Sequence, residues 1–249
     1  MNVLMFKDHE AMSRYAAKLF IDQLQTDPQS VLGLATGSTP IELYQALIRA
    51  NKSGEITFKD VTTFNLDEYL GVAADHPESY ARFMREHLFD AIDIDQANTH
   101  IPSGLAIDPV KEGADYDEKI RQAGGIDLQV LGLGGNAHVG FNEPAESLSN
   151  QTHATQLTQD TREANARFFG SIEEVPTEAI TMGMGSIMRA KKIILMASGQ
   201  AKAKAIQQTV EGPITTQAPS SLLQLHPDVT VLIDEAAGSN LKETSYEIL

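Results

Sequence analysis

The chain has 249 residues, 42% of them hydrophobic, with no tryptophan and no cysteine; that length suits one large domain with a sizeable core. Without cysteine, disulfides, thiolate nucleophiles and cysteine-based metal sites are excluded. A net charge of −15 argues against a nucleic-acid partner, and any anionic ligand must be held at close range, by local cations and backbone N–H groups, against a repelling field.

The segment Met1–Asp8 is too short and too soon polar for a signal peptide, and no run approaches a membrane span. A cytoplasmic protein with no membrane partner is expected. Val3 to Phe6 reads as a first strand. The helix after it carries Met12, Tyr15, Ala16, Leu19, Phe20 and Leu24 at helical spacing and ends at Asp27-Pro28. Val31 to Ala35 is a second, buried strand that runs into Thr36-Gly37-Ser38-Thr39-Pro40. Thr39 and Glu42 have capping-box spacing, with Pro40 at the first helical position. A strand, a small polar turn and a helix N-terminus together suit an anion, through exposed N–H groups, hydroxyls and the helix dipole. An ordinary well-capped turn fits the same residues.

A helix over 42–52 leads to a third strand, Val61 to Asn65, followed by Asp67-Glu68-Tyr69. Two adjacent carboxylates cannot both ionise cheaply if buried, so one of them is a candidate for use; a solvated turn is the plain alternative. Helices are expected around Tyr80, Phe83, Met84 and Leu88, and from Val110 to Gln122. Gly124-Gly125 then returns the chain to a buried strand, 128–133. That strand empties into three glycines and a polar cluster, Asn136, His138, Asn142 and Glu143, while Gly140 and Pro144 prevent a long helix. Polar groups there sit on a loop at a strand's carboxyl end, where open α/β sheets bind ligands.

Residues 147–161 are rich in Ser, Thr, Gln and Asn, with a short β-like break near Thr155 to Leu157; a helix with Arg162, Arg167, Phe168 and Phe169 follows and ends at Gly170. Residues 147–175 have the character of a lid, or of a surface excursion. Ala179 to Met184, Ile193 to Ala197 and Val229 to Ile233 are further strands. Lys202 and Lys204 fall in the first turn of the helix 201–210, against its dipole, a conflict that a bound anion would remove and that a solvated lysine would tolerate. The tail after the last strand carries no readable signal. Strands alternating with helices predict an α/β fold: one domain over 1–249, with a single doubly wound, mostly parallel sheet flanked by helices, Rossmann-like.

Gly132-x-Gly134-x-x-Ala137 matches the dinucleotide fingerprint only formally, since Gly140 and Pro144 interrupt the helix it should open and no acid follows at the ribose distance. There is no Walker A sequence, and the seven histidines lack metal-ligand spacing. Neither a cofactor nor a catalytic metal is expected.

Taken in order, Ala35-Thr-Gly-Ser-Thr-Pro40, Phe64-Asn-Leu-Asp-Glu-Tyr69, His138-Val-Gly-Phe-Asn-Glu-Pro144, Asp160 to Phe169 and Leu223-Gln-Leu-His-Pro227 resemble the glucosamine-6-phosphate deaminases of the glucosamine-6-phosphate isomerase family. The resemblance implies conversion of glucosamine 6-phosphate and water to fructose 6-phosphate and ammonia, in amino-sugar catabolism and without a cofactor. It implies His138 as ring-opening acid/base with Glu143 as its orienting partner, and Asp67 as the base for the C2 proton. Thr36, Gly37, Ser38, Thr39, Arg167 and Lys202 match the phosphate ligands.

Two departures stand out. Asn136 replaces an aspartate found beside the histidine in many members; an amide can hold His138 but cannot balance an imidazolium. The basic residues of members activated by N-acetylglucosamine 6-phosphate are missing from Gln151-Thr-His-Ala-Thr-Gln156, so hyperbolic kinetics are expected. The same absence points away from a hexamer, towards a monomer or small homo-oligomer. The rival readings are a 6-phosphogluconolactonase-like hydrolase, which would need no carbon base at Asp67, and a non-catalytic sugar-phosphate sensor domain.

Overall fold

Near-continuous apolar strands, each followed by an amphipathic segment, organise the chain around a parallel sheet. In the computed structural model, which describes residues 1–166 and 169–249, the first half runs β1 (Asn2–Phe6), α1 (His9–Thr26), β2 (Val31–Leu34), α2 (Ile41–Lys52), β3 (Thr62–Asn65), β4 (Asp67–Tyr69), α3 (Tyr80–His87), β5 (Thr99–His100) and α4 (Pro109–Gln122). The second half runs β6 (Leu128–Gly132), β7 (His153–Gln156), α5 (Gln159–Asn165), β8 (Glu178–Thr181), α6 (Met184–Met188), β9 (Lys192–Ala197), α7 (Ala203–Val210), β10 (Val229–Asp234), α8 (Glu235–Gly238) and β11 (Glu247–Ile248).

Among the described residues, eight strands form one sheet in the order β11-β1-β10-β9-β6-β2-β3-β5, and every neighbouring pair is parallel. This is the doubly wound α/β sheet expected from the sequence. Consecutive strand residues point to opposite faces, and Ile193 to Ala197 of β9 and Val231 to Ile233 of β10 are all buried. Both faces of the central strands are therefore covered, which is why they read as continuous apolar runs. From β2 the chain winds outward through β3 and β5, then returns to the other side of β2 and winds the opposite way through β6, β9 and β10. The direction reverses between β2 and β6, and the loops leaving their carboxyl ends flank the crevice that such a reversal opens.

Four expectations are corrected. β8 does not join the main sheet: it pairs antiparallel with β4 and β7 in a second, three-stranded sheet; both sides of β2 are held by β3 and β6, Leu66 prolongs the β2–β3 pairing with a bond to the Leu34 carbonyl, and the Met182 N–H just past β8 donates to the Leu66 carbonyl. The capping box at Thr39 and Glu42 does not form. Pro40 already has helical dihedrals and no side chain caps α2, so the Thr39 hydroxyl is not presented to the first helical N–H groups. The helix expected from 201 begins as a short 3₁₀ turn, Gln200–Lys202, and Lys202 is the N-cap of α7; Lys204 is exposed. The unread C-terminal tail adds β11 to the sheet edge beside β1.

Other helix starts have local causes. Asp8 caps α1, Ser79 caps α3, and Asp108 with Pro109 opens α4. Among the described residues no helix is long and apolar enough to cross a membrane.

Candidate active site

At the sheet's reversal point the loops after β2, β3, β6 and β9 surround a cavity of about 480 Å³, within the range of small-molecule sites. Eight of the residues singled out from the sequence line it: Thr36, Gly37, Ser38, Thr39, Asp67, Asn136, His138 and Lys202. Glu143 stands behind His138 rather than in the wall, and Arg167 lies outside the described residues.

The loop after β6 is shaped to present His138. Gly134 donates its N–H to the His138 carbonyl, and a Cβ on Gly134 would stand 2.3 Å from the imidazole, so only glycine leaves room for the ring. Ala137 adopts a φ of 67°, a left-handed conformation that costs a non-glycine residue energy; bonds from its N–H to the Gly134 carbonyl and from the Ser220 N–H to its own carbonyl hold it there. The buried Asn142 amide donates to the Val139 and Met182 carbonyls and locks the end of the loop.

Behind the ring, Glu143 Oε2 lies 3.1 Å from His138 Nδ1 and accepts from Asn136 Nδ2 at 2.7 Å. Its other oxygen accepts from the hydroxyls of Thr161 at 2.5 Å and Thr158 at 3.3 Å. Burial raises the Glu143 carboxyl, but the bond and charge of His138, then Thr161 and Asn136, outweigh it and bring the group down to about 2. Glu143 is thus a fixed anion. Its partner's other nitrogen, Nε2, is left for a ligand.

Asp67 and Glu68, adjacent in β4, have separate surroundings. Glu68 accepts from the backbone N–H groups of Tyr69, Tyr80 and Ala81 at 2.9, 3.0 and 2.9 Å, which ties β4 to the N-terminus of α3. Burial raises its carboxyl even though these N–H groups hold it down. Asp67 faces the cavity and, among the described residues, its carboxylate accepts no hydrogen bond. Burial, then the nearby Glu68 charge, push it up to about 8. Of the two carboxylates, Asp67 is the one that lines the cavity, and Glu68 is tied to the backbone.

The opposite wall is formed by the loop after β2 and by Lys202. Gly37 has a φ of 89°, and none of the N–H groups from Thr36 to Thr39 has an acceptor among the described residues. Tyr44 fixes the loop's entry: its hydroxyl donates to the Ala35 carbonyl at 2.5 Å and accepts from the Ala35 N–H at 3.2 Å. After β9, the Asp234 carboxylate takes the Ser198 hydroxyl and the Gly199 N–H, and the turn they set brings Lys202 to the cavity. Among the described residues no group of three or more His, Asp and Glu side chains is arranged to hold a metal ion.

Residues 7–232 match the family described as glucosamine-6-phosphate isomerases/6-phosphogluconolactonase. The chain belongs to this family. A glucosamine-6-phosphate deaminase from Shewanella woodyi is 53% identical over 246 residues, 99% of this chain and 93% of that one. One from Thermoanaerobacter pseudethanolicus is 54% identical over 239 residues, 96% of this chain and 94% of that one. The solved structure of a monomeric glucosamine-6-phosphate deaminase superposes with a TM-score of 0.94 at 43% identity, covering 96% of this chain and 100% of that chain. The 6-phosphogluconolactonase of Trypanosoma cruzi, at 21% identity, TM-score 0.77 and 97% coverage of both chains, shares the fold alone. The resemblance seen in the sequence motifs is borne out.

In this member of the glucosamine-6-phosphate isomerase family, several cavity residues escaped the sequence reading. Tyr80 and Phe141 form part of the wall, their rings stacked at 6.2 Å and 12°, with the Tyr80 hydroxyl donating to that of Tyr69. They looked like core residues at helical or loop positions, and nothing local marks them otherwise. Asp160, Thr161 and Asn165 of α5 close another side. A signal for Thr158 and Thr161 was present: Thr158 is the N-cap of α5 and accepts from the Thr161 N–H, so a capping threonine in a polar stretch marked the start of a helix beside the site.

Proposed function

We propose that the chain converts glucosamine 6-phosphate and water to fructose 6-phosphate and ammonia, as a cytoplasmic enzyme of amino-sugar catabolism. The observation that carries this reading is the cavity-facing Asp67 carboxyl, pushed up to about 8 in the same cavity as a His138–Glu143 pair and a loop of unpaired N–H groups. The loop 36–39 and Lys202 bind the phosphate, with Arg167 as a further ligand by family resemblance. This remote binding holds the sugar in reacting geometry.

His138 Nε2 takes the proton of the C1 hydroxyl and returns one to the ring oxygen as the C1–O5 bond breaks. The resulting C1 aldehyde acidifies the C2 hydrogen, and Asp67 removes it as base. Proton delivery to C1 then leaves a C2 iminium; water adds there and ammonia departs, giving the ketose. Each step is a proton transfer or an addition of water, the work of positioned acid/base groups worth about 10²- to 10⁴-fold each. A lactonase breaks no C–H bond and has no use for a carbon base, so the placement of Asp67 favours the deaminase.

Residues 147–175 act as a lid within a single domain, supported by the α5 residues in the cavity wall and the two α5 hydroxyls on Glu143. The basic residues of effector-activated members are absent from 151–156, which supports a monomer or small homo-oligomer working without N-acetylglucosamine 6-phosphate.

The test is C2 exchange. The protein is incubated with glucosamine 6-phosphate in deuterated water, and ammonia release is followed together with loss of the C2 hydrogen. Both are expected, and both vanish in Asp67→Asn. Binding of the sugar phosphate with neither event would make the chain a sensor and overturn the reading.

A further inference from the structure

His9, the first residue of α1, is 30 positions upstream of Thr39 and outside the cavity wall, yet it touches the loop assigned to the phosphate. Its Nε2 lies 3.1 Å from the Thr39 carbonyl oxygen. A carbonyl only accepts, so Nε2 carries the hydrogen and donates. That carbonyl needs a donor: with Pro40 at the start of α2, the first described helical bond runs from the Tyr44 N–H to the Pro40 carbonyl, and Thr39 receives none from the helix among the described residues.

The other ring nitrogen of His9, Nδ1, lies 3.3 Å from Glu42 Oε2, a buried oxygen with no hydrogen-bond donor among the described residues. Glu42 is in the first turn of α2, directly behind the loop. The neighbouring charges on α1 are engaged elsewhere: Asp8 caps the helix and pairs with Lys7, and Glu10 pairs with Arg14. The ring of His9 thus bridges the loop's exit and a buried oxygen of the Glu42 carboxylate, as Tyr44 pins the loop's entry at Ala35.

We propose that His9 is a positioning residue for phosphate binding: its imidazole holds the Thr39 carbonyl, faces the Glu42 carboxylate, and so presets the loop whose N–H groups take the phosphate. A loop pinned at both ends loses less freedom when it binds. Because His9 touches no reacting atom, its loss removes binding shared by the ground state and the transition state, which raises KM and leaves kcat. The proposal rests on reading 36–39 as the phosphate site.

The experiment compares the full chain with His9→Phe, His9→Ala and His9→Gln, measuring kcat and KM for glucosamine 6-phosphate and the inhibition constant of inorganic phosphate. Ser38→Ala and Lys202→Met read the phosphate site itself. In the Phe and Ala variants, KM and the phosphate constant should rise together by about three- to tenfold, as for loss of one hydrogen bond to a structured site, with kcat within twofold. His9→Gln keeps an N–H donor and should recover most of the loss. Unchanged constants in the Phe and Ala variants, a fall in kcat alone, or failure of both variants to fold would overturn the role of His9. If Ser38→Ala and Lys202→Met both leave the phosphate constant unchanged, the phosphate-site reading fails first and the role of His9 with it.

Discussion

Glu143 Oε2 stands 3.1 Å from His138 Nδ1 and takes the Asn136 amide on the same atom. The carboxylate that orients the histidine is therefore itself oriented from four sides, by Asn136, His138, Thr158 and Thr161.

Glu143→Gln should cost more ring-opening activity than Asn136→Ala. The amide cannot accept from all four donors and carries no charge to balance an imidazolium, so a loss of about 10²- to 10³-fold in kcat is expected. Asn136→Ala removes one donor of the four and should cost about tenfold. Steady-state kinetics on the two variants decide it, and the reverse order would remove Glu143 from the orienting role.

Glu143 also makes a prediction for acid stability. Its folded value near 2 lies below the ordinary 4.5, so its contribution is present above about pH 4.5 and is lost as pH falls through 2. Urea titrations of the wild type and Glu143→Gln should differ by on the order of 2 kcal/mol at pH 7 and converge towards pH 2.

Asp67 has the opposite sign. Its carboxyl is raised from 3.8 to about 8, so in the folded protein it keeps a proton that the unfolded chain releases. Burying it costs nothing below about pH 4, costs more as pH climbs to 8, and levels off above. Asp67→Asn should therefore stabilise the protein more at pH 9 than at pH 5, by up to about 4 kcal/mol. A base must be ionised to act, so kcat/KM of the wild type should rise through neutral pH to a plateau above about 8.

Gly134→Ala separates fold from chemistry. A methyl group 2.3 Å from the His138 ring must displace it by about an ångström, and displacements of that size cost on the order of 10²-fold in rate. The partly exposed ring can swing into the cavity, so circular dichroism should match the wild type while kcat falls.

Velocity against glucosamine 6-phosphate should follow a simple hyperbola, unaffected by N-acetylglucosamine 6-phosphate, because Gln151 to Gln156 offers no cation for a second phosphate. A sigmoidal curve relieved by that compound would show that other residues form an effector site.

Most of the scaffold was legible because its signals are local. Apolar runs marked β1, β2, β6, β9 and β10, the helical spacing of Met12 to Leu24 marked α1, and the glycines around His138 marked a turn at a strand's end. Those features follow from steric limits and backbone valence within a few residues, and the ordered motifs along the chain pointed to the family.

The tertiary structure alone decided the surroundings of each group. Asp67 and Glu68 are chemically alike neighbours whose side chains leave a strand in opposite directions; only the packing of α3 against β4 gives one of them two N–H partners from a helix, beside the local one from Tyr69, and leaves the other facing a cavity. The pairing of β4 with β8, Asp67 against Thr181, and the contact of His9 with Thr39 are likewise set by partners 30 or more residues away. A sequence pattern encodes what each segment buries, and the charge and hydrogen bonding of a buried group depend on what is brought against it.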